Sequence, residues 1–324
     1  MFDAIRTITS VIADELERFS KEFDNAIYVK DDLLNRILKN LFETKGKRIR
    51  PVLTILTAKA LGEVTDMTYR GAVIVELLHN ASLLHDDVVD FSVLRRQRPT
   101  ANAIFGNKLA VLAGDYLYGK ALATIKTEKD FSLMDVFSDI AISLPKGEIL
   151  EIDNTNNKSL LLDDYLRVIY YKTASLIKAS CQIGQRSLGS VEYEQEVKDL
   201  GKNLGLAFQI KDDLLDYDIN NQTGKGVGND IKECKITLPI IYLLSYLQGE
   251  QKDNMIRLFF NQNKTDEDVN YILHKVNTSK ALQDAELMQN EYSKRAFEIA
   301  NELPKNEYSK ALCLMVRYLT ERKR

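Results

Sequence analysis

The chain has 324 residues, 44 Lys and Arg against 47 Asp and Glu, and a formal charge of -3 at pH 7. This near-balance and an apolar content of 45% exclude a disordered polyelectrolyte and a wholly basic nucleic-acid coat. Glycine (15) and proline (5) together are about half their usual share, which predicts long helices with few turns.

Apolar residues recur at helical spacing from the start: Ile5, Ile8, Val11, Ile12 and Leu16. Asp3 and Arg6 stand where a signal peptide would be apolar, and no stretch reaches the roughly 18 apolar residues of a membrane span, so a cytoplasmic protein is expected. Asp31-Asp32 opens the run DDLLNRILKNL as a helix cap. The basic segment TKGKRIRP (Lys45, Lys47, Arg48, Arg50) precedes a helix that Pro51 can open. Val73, Leu77, Leu78, Ala81, Leu84 and Val88 then mark a long helix that ends in Asp86, Asp87 and Asp90, followed by the arginines of RRQRPT. Asp163-Asp164 caps a further helix that runs towards Lys172, and VKDLGKNLGLAFQIKDDLLDY carries Asp212, Asp213 and Asp216 after several helical turns. Polar interruptions at 153–159, 218–229, 248–254 and 261–266 read as loops, and the five prolines fall where one helical pattern gives way to the next or just inside a new one. Sustained period-two alternation is absent, and no Gly/Ser/Pro-rich linker divides the chain, so residues 1–324 are expected to form one all-α domain. Cys181, Cys234 and Cys313 are too few and too scattered for a disulfide framework or a zinc site.

The two late acidic triplets share the pattern DDxxD. They lie near the negative end of the helix dipole, where acids weaken a helix, so local stability does not explain them. At 100° per residue the first and fifth positions point the same way and the second lies alongside. On open surface such crowding costs only about 0.2–0.5 kcal/mol per pair. In a cleft of effective dielectric near 20, charges about 5–6 Å apart repel by roughly 3 kcal/mol, and a cation is required. Oxygen-only ligands suit a hard divalent ion, above all Mg²⁺ bridging to substrate phosphates. His79 falls within about 20° of Asp86 and Asp90 on the wheel, and Gln209 shares the face of Asp212, Asp213 and Asp216. His85 and His274 read as structural. Lys172, Lys225, Lys235 and the arginines supply cations for anionic groups, while the lack of Trp and of any stacking pattern argues against nucleic acid.

These residues together resemble the trans-isoprenyl diphosphate synthases, or polyprenyl synthetases. The resemblance covers nearly the whole chain and rests on GKRIRP (46–51), LLHNASLLHDDVVD (77–90), RR (95–96), FGNKLAVLAGDYL (105–117), KTASL (172–176), FQIKDDLLD (208–216), GKGVGND (224–230) and KITLP (235–239). It implies an all-α bundle around a deep central cavity, paired as a homodimer, and Mg²⁺ as cofactor, with three ions per site when substrate is bound. Asp86, Asp90, Asp212 and Asp216 would serve the metals, with Asp87 and Asp213 in support. Arg95, Lys172, Lys225 and Lys235 would hold an allylic diphosphate. Lys47, Arg50, His79 and Arg96 would hold isopentenyl diphosphate, and Thr173 and Gln209 would line the reacting tails. The implied reaction is head-to-tail 1'-4 condensation. Bulky residues four or five positions before the first DDxxD stop chain growth in this family. Ser82 and Ala81, both small, stand there, which points to an all-trans product of heptaprenyl or octaprenyl length for a quinone side chain. A geranylgeranyl or farnesyl synthase is the same-fold alternative. A non-catalytic regulatory subunit would be expected to lose one acidic motif, and a terpene cyclase to carry a mixed second motif. Lys45, Gln97, Glu151 and Cys234 depart from the usual residues without removing a proposed ligand.

Overall fold

The computed structural model describes residues 2–43, 46–95, 97–125, 128–219 and 227–322. In chain order the helices are α1 (Phe2–Ser10), α2 (Ala13–Ile27), α3 (Asp32–Phe42), α4 (Ile49–Leu61), α5 (Asp66–Val89), α6 (Ala101–Phe105), α7 (Asn107–Ala123), α8 (Met134–Asn157) and α9 (Leu162–Ile169). A π-helical turn, Tyr170–Ala174, leads into α10 (Ser175–Arg186). The second half comprises α11 (Glu194–Asp216), α12 (Asn229–Lys232), α13 (Leu238–Tyr246), α14 (Gly249–Phe259), α15 (Asp266–Thr278), α16 (Ala281–Glu302) and α17 (Glu307–Thr320).

Helix starts follow the capping residues. The Asp31 carboxylate accepts from the Leu34 backbone N–H, and Thr65, Thr265 and Asn306 each close a capping box at the head of α5, α15 and α17. Asp163 and Asp164 lie in the first turn of α9, at the positive end of its dipole, but neither caps it: the N-cap is Leu161, without a side-chain hydrogen bond. Helices α4, α5, α10 and α11 are buried on most sides and form the centre of the bundle: α5 packs on α4, α7 and α10, and α11 lies between α10 and α16. One large apolar core joins α1 to α5 with α7, α8, α10, α17 and the first half of α11. Two smaller cores continue it around the second half of α11 and among α13, α14 and α15.

Three further sequence readings are corrected. Residues 153–157 are the last turns of α8 rather than a loop, stapled by Asn157 Nδ2 donating to Asp153 Oδ1 at 2.9 Å. The 248–254 segment turns within a residue or two, because Gly249 takes φ +52°, and then becomes α14. Pro145 sits in the middle of α8, not at a helix start, and forfeits the backbone donor that would reach Ala141. Leu94–Arg95 and Arg98–Pro99 form a minimal antiparallel pair, turned at Gln97 with φ +65°. Among the described residues no helix is long and apolar enough to cross a membrane, and the three cysteines are free.

Candidate active site

Both DDxxD motifs end long helices: Asp90 is the C-cap residue of α5, and Asp216 is the last residue of α11. The carboxylates therefore meet carbonyl-rich helix ends, which helix stability alone would disfavour. The two ends open on one cleft. Lys235 follows the second motif in sequence, yet its Nζ lies 3.8 Å from Asp90 Oδ2 of the first. Lys172 feels Asp86 on one side, while Glu151, its ion-pair partner, acts on Asp213 on the other. Beside the second motif is a pocket of about 140 Å³ lined in part by Glu151, Lys172, Thr173, Gln209, Asp213, Asp230 and Lys235.

Each acid is held differently. Asp87 is buried, and Arg95 donates to its Oδ1 through Nε at 2.9 Å and Nη2 at 2.8 Å. Burial nevertheless pushes the Asp87 carboxyl above the usual carboxylate range against the pull of Arg95. Asp86 is pushed up to about 7, first by burial and then by the negative charges of Glu148 and Asp90, with Lys172 and Arg95 opposing. On α11, Asp213 accepts from Tyr165 Oη at 2.6 Å and Gln209 Nε2 at 2.9 Å. Burial pushes it too up to about 7, despite those two donors. Asp216 Oδ2 accepts the Asp230 backbone N–H at 2.9 Å, so this acid also fastens the chain that returns after residue 226; burial raises its pKa. Asp212 Oδ1 meets Arg322 Nη2 at 2.5 Å.

Lys172 lies in the π-helical turn, a geometry common at functional sites. Its neighbours explain its position. A Cβ at Gly147 of α8 would come within 2.7 Å of the Lys172 backbone nitrogen, and one at Gly205 of α11 within 2.4 Å of Ala174 Cα. Two glycines thus let flanking helices grip the turn and aim the lysine into the cleft. There Nζ pairs with Glu148 at 2.9 Å and Glu151 at 2.6 Å, and these two acids outweigh burial and raise its pKa. Thr173 Oγ1 donates to Gln209 Oε1 at 2.7 Å, tying the turn to α11.

The remaining sequence candidates divide. Burial pushes the Arg50 guanidinium down to about 10, against the opposing charge of Glu76, and among the described residues its Nε has no hydrogen-bond partner. Lys47 is exposed, 5.3 Å from the Tyr318 ring. Arg48, by contrast, is structural: it donates to Ser20 Oγ and stacks over Phe19 and Phe23. His79 is half-buried two turns before Asp86. His85 packs as a structural residue, with Nε2 3.1 Å from Val111 O and 3.3 Å from Asp115, and its ring stacked on Tyr118. Ala81 has no accessible surface, whereas Ser82 is half-buried and donates to His79 O. Arg96, Lys225 and Lys45 lie outside the described residues. Sequence reasoning passed over Glu148, Tyr165, Asp230 and Arg322. Only Glu148 had a signal, its position three residues before Glu151 on one helical face.

Among the described residues no three His, Cys, Asp or Glu side chains already enclose a metal ion. The donors are nevertheless carboxylate oxygens, and burial raises the cost of ionising Asp86 and Asp213, a cost that a bound cation would offset. That set fits a hard divalent ion that takes one or two carboxylates and completes its shell with water and phosphate.

The polyprenyl synthetase family profile matches residues 31–276. The chain is 38% identical over 269 residues to octaprenyl diphosphate synthase of Haemophilus influenzae, covering 82% of both chains. It is 35% identical to octaprenyl diphosphate synthase of Escherichia coli, over 90% of this chain and 91% of that one. The crystal structure of a decaprenyl diphosphate synthase from Rhodobacter capsulatus superposes with a TM-score of 0.93 at 30% identity, covering 99% of both chains. With the two acidic helix ends sharing one cationic cleft, these likenesses mean that the chain belongs to the polyprenyl synthetase family.

Proposed function

We propose that this polyprenyl synthetase extends an allylic diphosphate by successive 1'-4 additions of isopentenyl diphosphate, giving an all-trans chain longer than geranylgeranyl that serves as a quinone side-chain precursor. The observation that carries the reading is the convergence of both DDxxD motifs on a cleft spanned by Lys172 and Lys235. Mg²⁺, three ions with substrate bound, would supply Lewis-acid stabilisation of the leaving diphosphate, held by Asp86, Asp90, Asp212 and Asp216. Lys172, paired with Glu148 and Glu151, would bind the allylic diphosphate together with Arg95, Lys225 and Lys235. The unpartnered Arg50 Nε suits a second anion, the diphosphate of isopentenyl diphosphate, alongside Lys47, His79 and Arg96.

In each cycle the allylic C1–O bond breaks and diphosphate departs with the electron pair. The isopentenyl double bond then forms the new C–C bond at C1. A proton lost from C2 of the isopentenyl unit, taken by the released diphosphate, restores an alkene. The fixed cations and buried dipoles stabilise charge as it moves from carbon to diphosphate, without reorganising. Thr173 and Gln209 border the reacting tails. The small Ser82 and Ala81, and the octaprenyl products in the names of both bacterial relatives, support the longer chain.

The same reading takes the protein to be a cytoplasmic homodimer. Val111, Leu112 and Leu122 on α7, and Ile142, Ile149 and Ile152 on α8, are exposed apolar side chains that a second copy would cover. Purified protein given Mg²⁺, farnesyl diphosphate and isopentenyl diphosphate should yield products of seven or eight isoprene units. Geranylgeranyl diphosphate as the sole end product would refute the chain-length reading, and no condensation with any allylic primer would refute the activity.

A further inference from the structure

Every carboxylate of the second motif is held by a donor, and for two of the three the donor is local or nearby: Asp213 by Tyr165 and Gln209, Asp216 by the Asp230 backbone. The donor for Asp212 comes from the far end of the chain. Arg322 follows α17, whose last turn is fixed by Gln289 donating to Thr320 O at 3.2 Å and Ser293 Oγ donating to Thr320 Oγ1 at 2.8 Å. From that anchored end the guanidinium reaches three groups of α11. It lies 4.0 Å above the Phe208 ring, donates from Nη2 to Phe208 O at 3.3 Å, and meets Asp212 Oδ1 at 2.5 Å. Phe208 and Asp212 are four residues apart on one helix face, so ring and carboxylate form a single platform for a planar cation. The Arg322 side chain is only 13% exposed, and its Nε is buried without a partner among the described residues, so this is not a loose surface pair.

We infer that Arg322 is a positioning residue for Asp212: the C-terminal end of the chain completes the metal-facing half of the site. Among the described residues only Oδ1 of Asp212 is engaged, and a carboxylate has several acceptor sites, which leaves Oδ2 for a metal ion. The guanidinium holds the carboxylate in one rotamer and offsets the repulsion of neighbouring Asp213. Partners that hydrogen-bond a ligating carboxylate typically contribute about 10–100-fold in metal affinity. The inference rests on the proposed metal role of the second motif, and its test separates the two.

Mn²⁺ binding is measured by electron paramagnetic resonance on the full chain, with a non-reacting thio-linked allylic diphosphate present, beside the Mg²⁺ concentration for half-maximal turnover. Arg322→Gln should weaken Mn²⁺ binding and raise the Mg²⁺ requirement by roughly tenfold or more. Arg322→Lys, which keeps charge but not the planar fork, should recover part of the loss. Phe208→Leu removes the ring beneath the guanidinium and should shift both readouts a few-fold in the same direction, which keeps the test decisive if Arg322→Gln does not fold. Mn²⁺ binding by folded Arg322→Gln as tight as wild type, or tighter because a competing cation has gone, overturns the inference. Wild-type protein that binds no Mn²⁺ overturns instead the metal role of the motif on which it rests.

Discussion

The acids of the cleft make the metal-free protein least stable where it should work. Asp86 and Asp213 rise from an ordinary 3.8 to about 7 in the fold, mainly through burial. An acid whose folded pKa is raised binds its proton more tightly when folded. Its ionisation therefore costs stability progressively as pH rises from the unfolded pKa to the folded one. Between pH 5 and 8 each shift amounts to about 2–3 kcal/mol. Asp86 shares its shift with Glu148 and Asp90, and Asp213 with Asp212 and Glu151, so part of each belongs to those neighbours and the two together are worth about 3 kcal/mol rather than double that. The exposed acids with lowered pKa, such as Asp66 and Asp266, are already ionised above pH 5 and contribute no slope in this window. For a chain of this length the loss corresponds to about 4 °C in Tm. Calorimetry in chelator should thus show a lower Tm at pH 8 than at pH 5. Mg²⁺ with inorganic diphosphate should restore more at pH 8 than at pH 6. Asp213→Asn, a neutral replacement of similar shape, should raise the metal-free Tm at pH 8 and flatten the pH slope. A metal-free Tm that is level or rises from pH 5 to 8, or a slope unchanged in Asp213→Asn, would refute the reasoning.

Asp86→Ala and Asp212→Ala should each abolish Mg²⁺-dependent condensation while far-ultraviolet circular dichroism stays helical; wild-type turnover in either would remove that residue from the metal set. Gly147→Ala forces a methyl against the Lys172 backbone, which cannot yield as a flexible side-chain tip would, so about 1–3 kcal/mol of stability and most of the turnover should be lost. Equal stability and activity in that variant would show that the π-helical turn is not gripped as described. Ser82→Phe should shorten the product, read by chromatography of the dephosphorylated alcohols, because Ser82 keeps accessible surface where Ala81 has none. Glu151→Gln removes one of the two negative partners of Lys172 and should lower the KM for the allylic diphosphate by a few-fold; an increase would mean that Glu151 is needed to hold the lysine in place.

Helix content, the capped start at Asp31, and the placing of two DDxxD motifs at helix ends were determined by the sequence itself. Each depends on residues a few positions apart, where periodicity and dipole chemistry operate. The loops misread at 153–157 and 249–254 are polar stretches of helix. Composition there reports solvent exposure rather than backbone conformation, and exposure depends on which helices lie opposite. The tertiary structure alone decided the rest. It set Lys235 beside Asp90, enclosed Lys172 between Glu148 and Glu151, folded the turn carrying that lysine against two glycines, and brought Arg322 across the bundle to Asp212. Such contacts join residues tens to more than a hundred positions apart. No local pattern marks them, because packing rather than sequence spacing sets the distance between their charges.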